Sequence, residues 1–187
     1  MLRSRRTVTM ALWGVLAVAL AAQPAEPPTV GDKARDFSLE QLDGSKVTLA
    51  AELKNGPVVL VVGRGWVGYQ CPFCNRQFAD FSKNAAAFEA ARARVIWVYP
   101  GPAAELKKRA AEFAASATIP ASFRFVLDPD FAFVTANGLR WEGPGESAYP
   151  ATFVIDRGGV IRSAAVSRVH AGRATAADTL AAIAALK

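Results

Sequence analysis

The pattern that indicates the fold lies in residues 57–77, which read PVVLVVGRGWVGYQCPFCNRQ. The first part, Val58–Val62, is an unbroken apolar run made almost entirely of β-branched residues, which is typical of a strand buried on both faces. A glycine-rich loop follows it. From Cys71 onward apolar residues recur every three or four positions, which predicts one face of a helix formed by Cys74, Phe78, Phe81, Ala85 and Phe88. A buried strand followed by an amphipathic helix indicates an α/β domain.

The flanking sequence extends this strand–helix unit in both directions. Upstream, a turn at Asp43-Gly44 separates two short strand patterns, Asp36–Leu39 and Lys46–Leu49. Downstream, we predict strands at Val95–Tyr99 and Phe125–Leu127, an antiparallel hairpin at Thr152–Ile155 and Val160–Val166, and helices that begin near Pro102, Phe131 and Thr175. Asp178 lies three residues after Thr175, which is a capping-box spacing. The predicted fold is a central mixed β-sheet flanked by helices on both faces.

Composition limits the classes of protein to which the chain can belong. Its 187 residues fit one domain of ordinary size, and 20% charged with 10% aromatic residues exclude a disordered chain. Two cysteines are too few for a disulfide framework. The formal net charge is +6, but no Lys/Arg cluster is dense enough to indicate a nucleic-acid surface.

The N-terminal residues predict export. Three arginines at positions 3, 5 and 6 precede the uncharged apolar run of residues 10–22, as in a secretory signal peptide. We expect a signal peptide at residues 1–22, a Pro-rich linker at 23–29 and the functional domain at 30–187. The signal holds three arginines and no acid, so its removal lowers the net charge to about +3. The predicted location is periplasmic or otherwise extracytoplasmic; the alternative is a membrane anchor formed by an uncleaved N-terminal segment.

Cys71 and Cys74 are the candidate catalytic residues. Pro72 suits the first position of a helix, which places Cys71 at the N-cap, near the free backbone N–H groups of Phe73 and Cys74. These donors and the helix dipole favour the thiolate and lower a cysteine pKa from about 8.5 to roughly 3.5–7.5 in motifs of this kind. Cys74 lies on the buried stripe, so we expect Cys71 to attack a substrate and Cys74 to resolve the product.

Three other interpretations of the cysteine pair fit less well than a catalytic one: a structural disulfide, a metal site and a cofactor site. A disulfide that closes four residues stabilises a fold little, since even a 15-residue loop gives only about 3 kcal/mol. A zinc site lacks a second ligand pair, because His170 is the only histidine, and we interpret His170 as a surface residue rather than a catalytic base. Haem attachment requires a histidine where Asn75 stands, and the glycine-rich loop lacks the Lys-Ser/Thr end of a phosphate-binding loop. We therefore predict no metal or cofactor other than the redox-active cysteine pair.

A second motif is the segment 148–153, Ala-Tyr-Pro-Ala-Thr-Phe. Proline is locally tolerated directly before a strand, so the motif can be purely structural. The functional interpretation is a cis Tyr149–Pro150 bond that packs against the cysteine turn.

The chain resembles the thioredoxin-like superfamily and, within it, the redoxins of the alkyl hydroperoxide reductase and thiol-specific antioxidant type. The residues that carry the resemblance are Val30–Phe37, Gly44 with Val47–Leu49, Cys71–Gln77 and Tyr149–Asp156. It covers about residues 30–186 and implies a thioredoxin fold, redox catalysis through Cys71 and a cis Pro150 that docks the substrate. Tyr149, Trp66, Pro72 and Phe73 are the further candidate substrate-binding residues.

The sequence departs from typical peroxiredoxins at three positions. Arg64 and Gly68 stand where such proteins carry a proline and a threonine before the peroxidatic cysteine, and Pro150 stands where they carry an arginine. The groups that polarise a peroxide are thus absent unless Arg64 or Arg140 replaces them. Three hypotheses follow: a thiol-disulfide oxidoreductase acting on a protein thiol or disulfide partner, which we favour; a peroxiredoxin-like peroxidase with Cys71 peroxidatic and Cys74 resolving; and a non-catalytic binding module.

Overall fold

The computed structural model describes residues 25–186. The predicted signal peptide and the start of the linker therefore lie outside the described residues. No helix within the described range is long and apolar enough to cross a bilayer.

The described chain contains seven strands and six helices. The strands are β1 (Ser38–Gln41), β2 (Lys46–Thr48), β3 (Val58–Val62), β4 (Arg94–Gly101), β5 (Phe123–Pro129), β6 (Ala151–Ile155) and β7 (Ile161–Val166). The helices are α1 (Leu49–Leu53), α2 (Pro72–Lys83), α3 (Ala85–Ala90), α4 (Ala103–Ala115), α5 (Ala132–Ala136) and α6 (Ala176–Ala184).

All seven strands form one mixed sheet in the order β2-β1-β5-β4-β3-β6-β7. The central strands β3, β4 and β5 pair in parallel, and the remaining neighbours pair antiparallel. The structure thus confirms the predicted α/β class, the thioredoxin-like mixed sheet and the β6–β7 hairpin. The capping box at Thr175 and Asp178 is also confirmed, with both reciprocal hydrogen bonds formed.

Helices cover both faces of the sheet, which explains why β3 has no polar position. Val59 and Val61 point into one core layer, where they meet α2, α3, α4 and α6, whereas Val58, Leu60 and Val62 point into the other with α1 and α5. Phe78 of α2 is fully buried in the first layer and makes edge-to-face contacts with Trp97 at 5.0 Å and Phe113 at 5.4 Å. This aromatic cluster fixes α2, and with it the cysteine pair, against the sheet.

Three predicted boundaries differ from the structure for local reasons. Strand β1 begins two residues late, because the Asp36 carboxylate accepts hydrogen bonds from the N–H groups of Phe37 and Ala50 instead of entering the ladder. The helix after Cys71 is interrupted at Asn84, whose side-chain amide donates to the carbonyl of Asp80. Pro102 is the N-cap of α4 rather than its first residue.

Candidate active site

The loop between β3 and α2 is held against the end of β4. Gly65 adopts a φ of +64°, and a Cβ atom there would lie 1.8 Å from the carbonyl oxygen of Pro100. The N–H of Trp66 donates to the same oxygen at 2.9 Å. Only glycine fits this close approach, which places Cys71 at the carboxyl ends of β3 and β4.

Cys71 is the N-cap of α2 and Pro72 is the first helical residue, as predicted. Both cysteines are free thiols, and their side chains are almost completely covered, with 2% of Cys71 and 3% of Cys74 exposed. The two sulfurs therefore differ in their environment rather than in exposed area.

The environment of Cys71 stabilises its thiolate. A hydrogen bond with the Cys74 thiol is the largest cause that lowers the pKa of Cys71, which falls to about 5. The backbone N–H groups of Cys74 and Phe73 and the positive charge of Arg173 act in the same direction, whereas burial opposes them. At neutral pH Cys71 is consequently a thiolate, the nucleophilic form of cysteine.

The environment of Cys74 has the opposite effect. Its hydrogen bond to Cys71 and its burial raise the pKa of Cys74 well above the ordinary value. The Cys74 sulfur also accepts a hydrogen bond from the N–H of Arg64 at 3.3 Å. The pair thus favours one proton on Cys74 and one negative charge on Cys71. The attacking role of Cys71 and the resolving role of Cys74 stay predictions.

Arg173 is a cation beside the Cys71 sulfur, and the sequence offered no motif that pointed to it. Its Nη2 atom lies 3.9 Å from the Cys71 sulfur. Its Nε donates to the carbonyl of His170 at 3.0 Å and its Nη1 to Oε1 of Gln77 at 3.0 Å. These two bonds hold the guanidinium in place beside the thiolate.

Arg64 is completely buried at the other side of the site. Its guanidinium donates to Tyr69 Oη and to the carbonyl of Gly145, both at 2.9 Å, and forms an ion pair with Glu146. The rings of Tyr69 and Trp141 each lie 5.8 Å from its central carbon. Its Nε atom is buried without a hydrogen-bond partner among the residues the structure describes. A buried N–H group in this condition is available to an oxygen atom that enters the site.

Glu146 connects Arg64 to His170. One carboxylate oxygen pairs with Arg64, and the other lies 3.0 Å from Nε2 of His170. The His170 side chain is 38% exposed, in line with its interpretation as a surface residue, but it belongs to this network, and its ring centre lies 5.3 Å from that of Trp141 with the two rings tilted by 52°. The network joins Arg64 to Glu146 across 82 residues and Glu146 to His170 across 24, and it has no local sequence signature.

The predicted substrate-binding residues do not form one surface. Phe73 is half-buried beside Cys71, and Pro72 is exposed. Trp66 packs instead against α4, where the Arg109 guanidinium lies 4.1 Å from its ring. Tyr149 stacks on Trp141 at 4.9 Å and packs against the opposite core layer from Cys71.

The predicted cis Tyr149–Pro150 bond is wrong, because all described peptide bonds are trans. The backbone on both sides of Pro150 is engaged in extended pairing. The Tyr149 N–H donates to the Leu139 carbonyl at 2.8 Å, and the Pro150 carbonyl accepts from the Ser167 N–H at 2.9 Å. Both hydrogen bonds form while the Tyr149–Pro150 bond is trans, the isomer that is intrinsically preferred. The chain therefore does not need the turn that a cis proline would supply.

Arg140 does not take part in the site. Its guanidinium donates to the carbonyls of Trp141 and Ser147 within its own loop and lies 4.1 Å from the Phe131 ring. Of the two arginines proposed as replacements, only Arg64 borders the cysteine pair. In the described part of the chain no group of three His, Cys, Asp or Glu side chains is arranged to hold a metal ion.

A low-pKa cysteine at a helix N-terminus, paired with a protonated second thiol on a thioredoxin-like sheet, defines the class of thiol-dependent oxidoreductases. The chain belongs to the AhpC/TSA family, whose sequence profile matches residues 30–164.

Similar proteins carry names that agree with this family assignment. Two putative peroxiredoxins of Mycobacterium tuberculosis, from strains CDC 1551 and H37Rv, are each 29% identical over 138 residues, which cover 71% of this chain and 82% of theirs. The crystal structure of a peroxidoxin from the same species is 24% identical, with a TM-score of 0.65 over 84% of this chain and 97% of that one. A peroxiredoxin-like protein from Aquifex aeolicus is 17% identical, with a TM-score of 0.70 over 87% of this chain and 90% of that one. The two solved structures show that the fold is shared.

Proposed function

We propose that the protein is an exported two-cysteine thiol peroxidase in which Cys71 reduces a peroxide and Cys74 resolves the product. The observation that carries the proposal is the opposite perturbation of the two cysteines: the pKa of Cys71 is lowered to about 5, and that of Cys74 is raised well above normal. An attacking thiolate next to a thiol that keeps its proton is the starting state that this chemistry requires.

The small exposed area of Cys71 favours a small substrate. Only 2% of this residue is exposed, which admits a peroxide more readily than the disulfide of another folded protein. Arg64 supports the same choice, because its buried Nε–H group has no partner in the described chain and can donate to a peroxide oxygen.

The proposed reaction proceeds in two steps. The Cys71 thiolate attacks one peroxide oxygen, the O–O bond breaks, and the leaving alkoxide or hydroxide takes a proton, which leaves a sulfenic acid on Cys71. The Cys74 thiol then attacks the Cys71 sulfur, the S–O bond breaks, and water leaves as the disulfide forms. A thiol reductant must restore the dithiol before the next cycle.

Thiol-disulfide exchange with a protein partner is the second candidate function. It is supported by the position of Cys71 as N-cap of α2, where backbone N–H groups lower the pKa of the attacking sulfur. The enzymatic class established by the family argues against the third hypothesis, a non-catalytic binding module. Export is supported by the basic and apolar residues 1–22.

Stopped-flow oxidation of the reduced protein by hydrogen peroxide tests the proposal. We expect a rate constant far above that of free cysteine and a product about 2 Da lighter, as a disulfide requires. Cys74→Ser should instead accumulate a sulfenic acid, about 16 Da heavier and trapped by dimedone. A rate no faster than that of free cysteine, combined with rapid reduction of insulin disulfides, would overturn the peroxidase in favour of protein-disulfide exchange.

A further inference from the structure

A cleft of about 250 Å³ opens between α2 and the loop that precedes α6. One wall is formed by Phe73, Arg76, Gln77 and Asp80 of α2, and the other by residues 171–175. Cys71 does not itself line the cleft, but Arg173 connects the two, because it forms part of the lining and its Nη2 atom lies 3.9 Å from the Cys71 sulfur.

Each wall of the cleft carries an arginine. The Arg76 guanidinium lies 4.4 Å from the centre of the Phe73 ring, is exposed, and forms no hydrogen bond or ion pair with any residue between 25 and 186. Arg173 faces it from the loop, with its Nη1 and Nε bonds committed to Gln77 and His170. Because a guanidinium has five N–H donors, both arginines retain donors for a ligand.

The loop wall of the cleft adds backbone donors, and the main acceptors of the lining are already engaged within the protein. The backbone N–H groups of residues 171–174 have no acceptor within the described part of the chain. Asp80 is the acidic residue of the lining, and its Oδ2 atom accepts the N–H of Ala176 at 2.8 Å, where it holds the start of α6. Two cations, free N–H groups and an aromatic side chain match a small molecule with a carboxylate and an aliphatic body.

We propose that this cleft, the Arg76–Arg173 cleft, binds the carboxylate of a low-molecular-weight thiol that reduces oxidised Cys71. The inference rests on the proposed function, which leaves a disulfide that must be reduced. A reductant is the better match than the oxidant, because hydrogen peroxide is neutral and too small to need such a cleft. The guanidinium of Arg173 can also hold the incoming thiolate next to the Cys71 sulfur.

The proposed reduction consumes two small thiols. The first, as a thiolate, attacks the Cys71 sulfur, the Cys71–Cys74 bond breaks, and the Cys74 sulfur leaves and takes a proton. The second attacks the small-molecule sulfur of the resulting mixed disulfide and releases the Cys71 thiolate. The two small thiols are oxidised to one disulfide, and the protein disulfide is reduced to the dithiol.

Alkylation of the reduced protein tests the cleft without any redox cycle. Iodoacetate and iodoacetamide share the same reactive carbon, but only iodoacetate carries a carboxylate. We expect Arg76→Gln to lower the rate of Cys71 alkylation by iodoacetate about two- to fivefold and to leave the iodoacetamide rate unchanged. Lys83→Gln removes the same charge from the last turn of the same helix, outside the cleft, and should change neither rate. An equal effect of the two variants would show general surface charge and overturn the proposal.

Reduction of the peroxide-oxidised protein tests the identity of the ligand. Per unit of thiolate, 3-mercaptopropionate should reduce the wild type several times faster than 2-mercaptoethanol or cysteamine, and Arg76→Gln should weaken that preference about two- to fivefold. Equal rates for the three thiols would overturn the assignment of the reductant even if iodoacetate is favoured. Failure to form any Cys71–Cys74 disulfide would refute the proposed function instead, and the alkylation result would still decide whether the cleft binds a carboxylate.

Discussion

Replacement of Cys74 by alanine should raise the pKa of the Cys71 thiol from about 5 to about 6–7. The Cys74 thiol is the largest cause that keeps this pKa low. A hydrogen bond to a charged group contributes about 1.5–3 kcal/mol, and 1.36 kcal/mol corresponds to a pKa change of one. The N–H groups of α2 and the Arg173 charge remain in the variant, so the pKa should stay below the ordinary value near 8.5.

The assay is the rate of Cys71 alkylation by iodoacetamide as a function of pH. At pH 5 the thiolate fraction, and therefore the rate, should fall about five- to fiftyfold in Cys74→Ala, whereas the rates at pH 8 should nearly agree. Cys74→Ser is the matched control, because its hydroxyl can still donate to Cys71 and should keep most of the effect.

Two outcomes would refute the Cys74 hydrogen bond as the cause of the low pKa. A midpoint near 5 in Cys74→Ala would show that the helix N–H groups and Arg173 suffice to hold the thiolate. A serine variant that behaves like the alanine variant would show that the hydrogen bond is not the cause. Far-UV circular dichroism of both variants would verify that the fold is retained.

Two further predictions concern the fold around the site. Gly65→Ala should destabilise the protein and displace the Cys71 loop, because the new Cβ would meet the Pro100 carbonyl oxygen at 1.8 Å; unchanged urea unfolding and an unchanged alkylation midpoint would contradict this. Burial raises the pKa of Asp128 from 3.8 to about 6, so its contribution to stability is complete below pH 3.8 and is lost as the pH rises through 6. The full shift corresponds to about 3 kcal/mol, and the difference in unfolding free energy between wild type and Asp128→Asn should change by about 2 to 2.5 kcal/mol between pH 4 and pH 7; a constant difference would contradict the prediction.

Local patterns in the sequence predicted most of the strands and helices, but they could not predict contacts between segments that are distant in the chain. The apolar run Val58–Val62 and the proline after Cys71 are local patterns, and both elements were found where predicted. The positions of Arg173 and Glu146 depend on how the β7–α6 loop and the β5–β6 connection fold back over α2, which no periodicity encodes. The prediction of a cis Tyr149–Pro150 bond was wrong in the same region of long-range contacts: the backbone on either side of Pro150 bonds to Leu139 and Ser167, and these partners are compatible with the trans isomer.

Because the site is assembled from distant segments, the ionisation of Cys71 differs between the unfolded and the folded chain. In an unfolded chain Cys71 has neither Arg173 nor an ordered helix end beside it, and a cysteine with a pKa of about 8.5 is only about 3% thiolate at pH 7. Folding lowers the pKa to about 5 and makes nearly every Cys71 a thiolate. The thiolate fraction of Cys71 at pH 7 therefore rises about thirtyfold when the fold is completed. The Cys71 thiolate thus accumulates only when folding has placed Cys74 and Arg173 beside it.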